Sequence, residues 1–303
     1  MRQRNKVIGA PPSIDAGAFS HPARESIRTT APRVSVVIPT LNEARNLPLV
    51  LTRLPADIHE VIVVDGRSVD DTIEVARSLC PDVRIVLQNR VGKGNAMACG
   101  FAHATGDIVV MLDADGSADP HEIPLFVEAL QGGADFAKGT RFGGGGGSSD
   151  ITPVRAWGNR WLNRTANLFF GTHYTDLCYG YNAFWTYCLE TLELDPRPGE
   201  TSGKLWGDGF EIETIINTRM AKARMRITEV PSYEHRRVHG VSNLDTWRDG
   251  RRVLRALLVE RVNGKGRRRS HVFLENVTAD PPAYWAAEQS AEPYAGESSA
   301  QAG

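Results

Sequence analysis

The sequence predicts an α/β fold, in which a mostly parallel sheet is flanked by helices. Five short apolar runs, rich in Val and Ile, alternate with segments whose apolar residues recur at helical spacing. Runs that are apolar throughout are typical of strands buried on both faces of a parallel sheet. The 303 residues contain no internal repeat and are enough for one large domain.

The predicted elements follow one another in regular order. The strands are 33–39, 60–66, 83–88, 107–113 and 134–142. The helices are 43–54, 69–80, 93–105, 120–131, 154–170 and 210–221. In the first helix, Leu47, Val50 and Leu51 share one face, and Pro48 falls near the first turn, where its missing N–H costs least.

Composition separates the folded part from two tails. Residues 1–32 are rich in Pro, Ala, Ser and Arg without periodicity, and residues 277–303 contain few β-branched or large aliphatic residues. Such segments bury too little apolar surface to fold alone, so we expect both tails to be disordered. Residues 33–246 then form a single domain, followed by a basic amphipathic region at 247–276.

Overall charge and cysteine content exclude several classes of protein. The formal net charge is −1, so no nucleic-acid partner is expected. Four widely spaced cysteines follow no metal-binding pattern, which favours reduced thiols and a cytoplasmic location. No apolar run approaches the roughly 18–20 residues that span a bilayer, and no apolar signal segment begins the chain.

Acidic residues follow three of the predicted strands. Glu43 comes shortly after the first strand, Asp65 ends the second, and Asp113 and Asp115 end the fourth. In open parallel sheets, ligands bind beyond the carboxyl ends of the strands, so we expect these side chains to share one cleft. Capping of the next helix is the alternative for a single acid such as Glu43, but Asp113 still belongs to the buried strand.

The pair Asp113 and Asp115 has the spacing of a cation site. Two carboxylates two residues apart on an extended segment can approach one divalent ion, and hard oxygen ligands favour Mg²⁺ or Mn²⁺ together with a diphosphate. No glycine-rich phosphate loop follows the first strand. Lys93, which opens a helix in VGKGNA, either lies near the diphosphate or is a surface lysine.

Four motifs in order, SVVIPTLNE, VIVVDGRSVDDT, KGNAMACGFAHATGDIVVMLDAD and KGTRF, resemble the family 2 glycosyltransferases of the GT-A fold. The resemblance covers roughly residues 33–245. It implies an enzyme that transfers a sugar, with inversion, from a nucleotide-sugar of the GDP-mannose or UDP-glucose type.

The resemblance also implies roles for individual residues. Pro39, Glu43 and Asp65 would contact the nucleoside of the donor. Asp113 and Asp115 would hold Mg²⁺ or Mn²⁺ on its diphosphate, with Asp115 acting in catalysis through the metal.

The stretch 210–244 narrows the resemblance to the polyprenyl-phosphate sugar synthases, the group of the dolichyl-phosphate mannose synthases. Their pattern of Arg, two residues, Gly, one residue and Ser-Lys is matched by Arg237, Gly240 and Ser242, whereas Asn243 replaces the usual Lys. In this group, cations meet the acceptor phosphate and the donor diphosphate. By this match Arg237 and Ser242 would bind a polyprenyl-phosphate acceptor.

Further cations lie between these motifs. Arg141 of KGTRF matches an arginine of the same group, and Arg155 or Arg160 would supply a second contact to the acceptor. Arg141 and Arg237 would then be catalytic, because an anionic acceptor and an anionic donor must be brought together.

A soluble hydroxyl acceptor is the alternative, and it requires a general base. A phosphate acceptor needs none, because its second pKa is about 6. Asp208 in GDGFE is the leading candidate base, with Asp176 and Glu211 behind it, although Asp208 could instead cap the helix at 210–221. A sugar-nucleotide-binding protein or a nucleotidyltransferase is less favoured, because both acids of the pair are present and no glycine-rich loop follows the first strand.

Two more segments allow two interpretations each. The glycine run at 142–150 is either a linker or, as we expect, a mobile loop that closes over substrate. Residues 247–270 form a basic amphipathic helix and a basic cluster, with an apolar stripe at Val253, Leu254, Leu257, Leu258 and Val262. This helix either packs on the domain or makes a peripheral contact with the inner face of the membrane.

Overall fold

A computed structural model of the protein describes residues 31–197, 205–240, 246–263 and 274–276. The strands are β1 (Val34–Thr40), β2 (Glu60–Asp65), β3 (Arg84–Leu87), β4 (Ile108–Met111), β5 (Phe136–Thr140), β6 (Gly147–Ser148), β7 (Asn182–Trp185), β8 (Ile227–Pro231), β9 (Tyr233–Glu234) and β10 (Leu274–Asn276). The helices are α1 (Leu47–Leu51), α2 (Thr72–Leu79), α3 (Lys93–His103), α4 (Ile123–Gln131), α5 (Pro153–Phe170), α6 (Leu189–Leu192), α7 (Ile212–Lys222) and α8 (Thr246–Asn263). Short 3₁₀ turns lie at Pro120–Glu122 and Thr186–Cys188.

The main sheet has eight strands in the order β10-β8-β5-β7-β4-β1-β2-β3. All neighbours are parallel except β7, which runs antiparallel to both β4 and β5. The prediction of a mostly parallel sheet flanked by helices is confirmed. The chain builds outward from β1 through β2 to β3 and then returns to place β4 on the other side of β1. This reversal creates a switch point, which is where such sheets bind ligands.

The five predicted strands are all present, within two residues of their expected ends. The sequence analysis assigned no strand to β7, whose residues NAFW are all buried in the middle of the sheet. In the chain, β7 lies between α5 and α7, and it runs in the opposite direction to its two neighbours in the sheet.

The first helix is shorter than predicted, because residues at both its ends make other hydrogen bonds. The Asn46 side chain donates to Glu43 Oε2 at 2.6 Å and also contacts the backbone of His239. The Thr52 hydroxyl donates to the Pro48 carbonyl at 2.6 Å and competes with the helical ladder. The helix therefore covers Leu47–Leu51 rather than 43–54.

The end of the glycine run is paired with β9 through its backbone. Gly147 N–H donates to Ser232 O at 3.1 Å and Ser149 N–H donates to Glu234 O at 2.9 Å, so β6 pairs with β9. A Cβ on Gly146 would lie 2.4 Å from the Thr140 carbonyl oxygen. Glycine is required there by the close approach of two backbones.

The C-terminal helix α8 packs on the domain through α5 and α7. Ala256 and Leu257 are buried, and Glu260 accepts ion pairs from Arg219 at 3.1 Å and Lys222 at 2.7 Å. The interpretation in which this helix packs on the domain is therefore confirmed. Within the predicted apolar stripe, Leu258 and Val262 face outward instead of into the domain.

Two other expectations cannot be followed in the structure. The basic cluster at 264–270 and nearly all of the two predicted tails lie outside the described residues. In the part of the chain that is described, no helix combines the length and apolarity needed to cross a bilayer.

Candidate active site

A cleft of about 1160 Å³ opens at the carboxyl ends of the first five strands. The following predicted site residues line it: Pro39, Glu43, Lys93, Asp113, Asp115, Arg141, Arg155 and Arg237. The expectation that the strand ends share one cleft is therefore met. Asp65 lies just behind the lining, Arg160 and Asp208 lie away from it, and Ser242 falls outside the described residues.

Asp113 already has a cationic partner. The Lys93 ammonium lies 2.6 Å from Asp113 Oδ1 and 2.7 Å from Glu213 Oε1. Burial alone would lower the pKa of Lys93, but the two carboxylates outweigh it and hold the pKa above its ordinary value. Lys93 is thus a charged group inside the cleft rather than a surface lysine. Glu213 was missed by the sequence analysis, because only the packing of α7 brings it here.

Asp115, the second acid of the pair, has no ion-pair partner among the described residues. Its Oδ1 accepts the Ser117 N–H at 3.0 Å, and within the described ranges no hydrogen bond to its Oδ2 is found. The Ser117 carbonyl in turn accepts the His235 N–H at 2.7 Å, so the segment after β9 lies against the Asp115 loop. His235 also lines the cleft and was not predicted, since a lone histidine after a strand carries no local signal.

The donor set of this part of the cleft fits a hard divalent cation. Asp115 offers carboxylate oxygen, which Mg²⁺ and Mn²⁺ prefer, whereas Asp113 is shared with the Lys93 ammonium. Over residues 31–197, 205–240, 246–263 and 274–276, no group of three His, Cys, Asp or Glu side chains is close enough to hold an ion alone. A cation here would need further oxygens from water or from a bound diphosphate.

Asp65 is buried at the end of β2, opposite Thr40 of β1. Its side chain is 1% exposed, and its Oδ2 accepts the Ser68 N–H at 2.9 Å. Among the residues that the structure describes, none donates to Oδ1. A buried carboxylate oxygen without a donor is costly, and it suits an N–H or O–H group of a ligand. Gly66 and Gln88 line the cleft beside it.

Glu43 and Arg237 are joined across the cleft. The Arg237 guanidinium donates to Glu43 Oε1, although 194 positions separate the two residues. Asn46 fixes the same segment, because its side chain exchanges hydrogen bonds of 3.1 and 3.2 Å with the His239 backbone. One predicted donor contact and one predicted acceptor contact are therefore neighbours, and the segment after β9 closes one wall of the cleft.

The geometry departs from the prediction for Arg141. Its Nε and Nη2 donate to Asp176 at 2.7 and 2.9 Å, and its Nη1 donates to Glu234 at 2.9 Å. Burial would lower the pKa of Arg141, but these carboxylates raise it above its ordinary value. The guanidinium is thus neutralised by protein acids. Arg141 ties β5 to β9 and to Asp176 instead of presenting a positive charge to substrate.

The structure also differs from both roles predicted for Asp208, general base and helix cap. Its carboxylate accepts two hydrogen bonds of 2.8 Å from Arg90 and one of 2.8 Å from the Leu205 N–H, and the residue is 3% exposed. A carboxylate so engaged is a poor general base, and it does not line the cleft. Nor does it cap a helix, because α7 begins at Ile212.

The predicted acceptor arginines separate on the two sides of α5. Arg155 lines the cleft and pairs with Asp150 at 3.1 Å, whereas Arg160 is exposed outside it. The cleft gains two other arginines from α8, namely Arg252 and Arg255. The sequence analysis gave neither of these two arginines a role in the site.

Four apolar side chains line the cleft beside these cations. Leu205, Trp206 and Phe210 are all partly exposed and line the cleft, together with Val253 of α8. The Arg255 guanidinium lies 5.7 Å from the centre of the Trp206 ring, in cation–π contact. The cleft is therefore lined by carboxylates at the strand ends and by an apolar and basic cluster where α8 meets residues 205–210.

Comparison with known sequences identifies the family. The model of the family described as Glycosyl transferase family 2 matches residues 35–192. Glycosyltransferase AglJ of Haloferax volcanii is 31% identical over 229 residues, which is 73% of this chain and 69% of that protein. The uncharacterized glycosyltransferase Mb0553 of Mycobacterium bovis is 43% identical over 108 residues, 36% of this chain and 48% of that protein.

Solved structures share the fold. Glucosyl-3-phosphoglycerate synthase from Mycobacterium tuberculosis in complex with Mn²⁺, UDP and glucosyl-3-phosphoglycerate has a TM-score of 0.57 at 22% identity, over 84% of this chain and 86% of that one. Its complex with Mn²⁺, UDP-glucose and glycerol 3-phosphate gives 0.57 at 22% identity, over 81% and 86%. The GT-A fold implied by the sequence motifs is thereby confirmed, and with the family match and the AglJ similarity the chain belongs to the family 2 glycosyltransferases.

Proposed function

We propose that this glycosyltransferase moves a hexosyl group, with inversion, from a nucleotide-sugar to a polyprenyl phosphate. The observation that carries the proposal is the mixed lining of the cleft. Asp113 and Asp115 lie at the strand ends with Asp65 behind them, and Trp206 lies beside Arg255. A nucleotide-sugar with its metal suits the carboxylates, and an acceptor that is anionic and apolar at once suits the cluster of Trp206 and Arg255.

The donor would lie along the strand ends. Pro39 and Glu43 line the cleft on the side of the nucleoside, and Asp65 Oδ1 is the buried acceptor for one of its N–H or O–H groups. The Lys93 ammonium would lie near the diphosphate. A Mg²⁺ or Mn²⁺ ion held by Asp115, with Asp113 beside it, would supply the charge that stabilises the departing diphosphate.

The acceptor phosphate needs no base, because it is already ionised near pH 7. One of its oxygens attacks the anomeric carbon, the bond from that carbon to the donor diphosphate breaks, and the nucleoside diphosphate leaves with the electron pair. Arg155, Arg237 and Arg252 line the cleft and would reduce the repulsion between the two anions. Ser242, five residues beyond Arg237, is the remaining predicted contact.

The similar structures support the anionic character of both substrates. The Mycobacterium tuberculosis synthase was crystallised with Mn²⁺, UDP-glucose and phosphoglyceric acid. A UDP-glucose type of donor is therefore the first to test here, with GDP-mannose second.

The same complexes favour a second candidate, a soluble acceptor that carries both a hydroxyl and a phosphate. A hydroxyl acceptor needs a base, and the buried Asp208 does not suit this role. Glu211 lines the cleft and would take it instead.

The deciding experiment offers both acceptors to the same protein. UDP-glucose or GDP-mannose and Mn²⁺ are incubated with a short-chain polyprenyl phosphate or with phosphoglyceric acid, and the products are identified by mass spectrometry. We expect a sugar linked to the lipid phosphate through a phosphodiester. Transfer only to phosphoglyceric acid would establish the second candidate, and release of sugar without either product would contradict both.

A further inference from the structure

Helix α5 is apolar on two opposite faces. Its inner face, with Leu162, Ala166 and Phe170, is buried in the domain. Its outer face carries four large apolar side chains with exposed fractions of 59%, 67%, 48% and 81%, namely Val154, Trp157, Trp161 and Leu168. We call these four residues the outer stripe.

The outer stripe is continuous along the helix. Trp157 and Trp161 are one turn apart, Val154 lies a turn before them, and Leu168 lies two turns after them on the same side. At 1.5 Å per residue, the stripe runs for about 21 Å. Folded proteins seldom leave a row of large apolar side chains in water unless it meets a partner.

The charges of α5 indicate which partner. The helix, Pro153–Phe170, contains three arginines and no acidic residue. Arg160 and Arg164 are exposed and border the outer stripe on one side. The neighbouring helix α8 adds exposed Arg251 and Leu258, and the two helices are joined by a hydrogen bond of 2.7 Å from Arg261 to the Phe169 carbonyl.

We infer that the outer stripe is a docking surface for an anionic lipid bilayer. Tryptophan has an apolar body and one N–H donor, which suits the boundary between acyl chains and headgroups. Arginines beside it can reach lipid phosphates while their stems remain in the apolar layer. A second copy of the chain fits less well. A two-fold contact through this face would bring the arginines of both copies together without an acid on either α5 to pair with them.

Docking in this way would place the cleft at the bilayer surface. Arg155, Gly158 and Leu162 of the same helix line the cleft, within one or two turns of Trp157 and Trp161. The inference rests on the proposed function for its purpose, because a polyprenyl phosphate is held in the bilayer with its phosphate at the surface. The docking itself is tested without any substrate.

The experiment compares four forms of the full chain, the parent and three variants, in flotation with vesicles. The vesicles contain phosphatidylcholine with phosphatidylglycerol, or phosphatidylcholine alone. The variants are Trp157→Ser/Trp161→Ser, Arg160→Gln/Arg164→Gln and the control Leu79→Ser, which removes an exposed apolar side chain from α2. Circular dichroism checks that each variant is folded.

We expect the parent and Leu79→Ser to float with the anionic vesicles. The tryptophan variant should bind at least tenfold more weakly, because it loses two large apolar rings that would be buried at the boundary of the acyl layer. Arg160→Gln/Arg164→Gln should lose binding to anionic vesicles and make little difference with neutral ones. The tryptophan variant and Leu79→Ser should keep the parent's rate on a water-soluble short-chain acceptor.

Three results would overturn the inference. They are a parent that does not bind anionic vesicles, a tryptophan variant that binds as well as the parent, and a dimer that this variant dissociates while vesicles remain unbound. If the tryptophans control vesicle binding but no form glycosylates a polyprenyl phosphate, the docking surface stands and the proposed acceptor fails.

Discussion

The Lys93 ammonium lies 2.6 Å from Asp113 Oδ1, so the first acid of the D-x-D pair is neutralised by the protein itself. The ammonium shares a second carboxylate, Glu213, at 2.7 Å. A divalent cation at Asp113 would be repelled by this neighbouring charge. Asp115 is two residues away and has no such partner among the described residues, so it is the acid that the proposed metal site depends on most.

Asp115→Asn should remove metal-dependent donor binding. The substitution keeps the shape of the side chain and its acceptor for the Ser117 N–H, but it removes the negative charge that a divalent cation requires. We expect the affinity for Mn²⁺ with a nucleoside diphosphate to fall at least tenfold and turnover to fall further. Titration calorimetry measures the first effect.

Asp150→Asn is the matched control, because Asp150 is another carboxylate that lines the cleft. Its Mn²⁺ affinity should remain that of the parent. Unchanged metal and donor binding in Asp115→Asn, with full activity in EDTA, would refute the metal site.

Asp65→Asn should weaken binding of the nucleoside. Asparagine can still accept the Ser68 N–H, but it places an amide group where Asp65 now has a buried oxygen without a donor. Loss of a hydrogen bond to a charged group costs about 1.5–3 kcal/mol, which is roughly a 10- to 100-fold loss of affinity. Calorimetry with UDP, GDP and the free nucleosides measures it, and equal nucleoside affinities in parent and variant would show that Asp65 faces no ligand.

The fold could be predicted because its signal is local. Each parallel strand is a short apolar run in the sequence. Because the strands are parallel, their carboxyl ends all lie at the same edge of the sheet. The cleft and the positions of Asp113, Asp115 and Glu43 follow from these two facts. Strand β7 carries no such signal, since NAFW is short and joins the sheet only through pairing with β4 and β5.

The charges inside the site could not be assigned from sequence, because their partners are distant. Asp208 resembles a free acid until Arg90, 118 positions away, is brought against it by α7 and the start of α3. Arg141 resembles a free cation until Asp176 and Glu234 surround it. A titratable residue that ends a strand is predictable, whereas its state of pairing depends on the completed fold.

Glu122 should make the protein less stable as the pH rises. Burial raises the pKa of Glu122 from 4.5 to about 8, although bonds from Ser232 and the Tyr233 N–H work in the opposite direction. Between about pH 4.5 and pH 8, Glu122 therefore keeps its proton in the folded state, whereas in the unfolded state it has lost it. The resulting stability is fully present below about pH 4.5 and is lost as the pH rises through about 8.

Thermal unfolding of Glu122→Gln tests this effect. Glutamine keeps the buried shape without a charge, so the melting temperature should fall less between about pH 5 and pH 9 than in the parent, by an amount that corresponds to a few kcal/mol. Some slope should remain, because burial also raises the pKa of Glu229. Glu128→Gln, at an exposed position of α4, should behave as the parent does. A pH dependence that is identical in parent and Glu122→Gln would contradict the assignment.

The acceptor is best tested by comparing Arg237→Ala with Asp208→Asn. For a phosphate acceptor, Arg237→Ala should lower kcat/KM by at least about tenfold, because the anion loses a charge-assisted contact. Arg236→Ala is the control, since Arg236 donates a hydrogen bond to the Ser149 carbonyl at 2.9 Å and does not line the cleft.

Asp208→Asn should lower stability by weakening the buried pair with Arg90, so its activity must be expressed per folded molecule at low temperature. On that basis we expect less than about a threefold change, whereas loss of a true base costs roughly 10²–10⁴ in rate. If instead Glu211→Gln loses activity by that larger factor and Arg237→Ala does not, the enzyme deprotonates a hydroxyl and the polyprenyl-phosphate proposal is wrong.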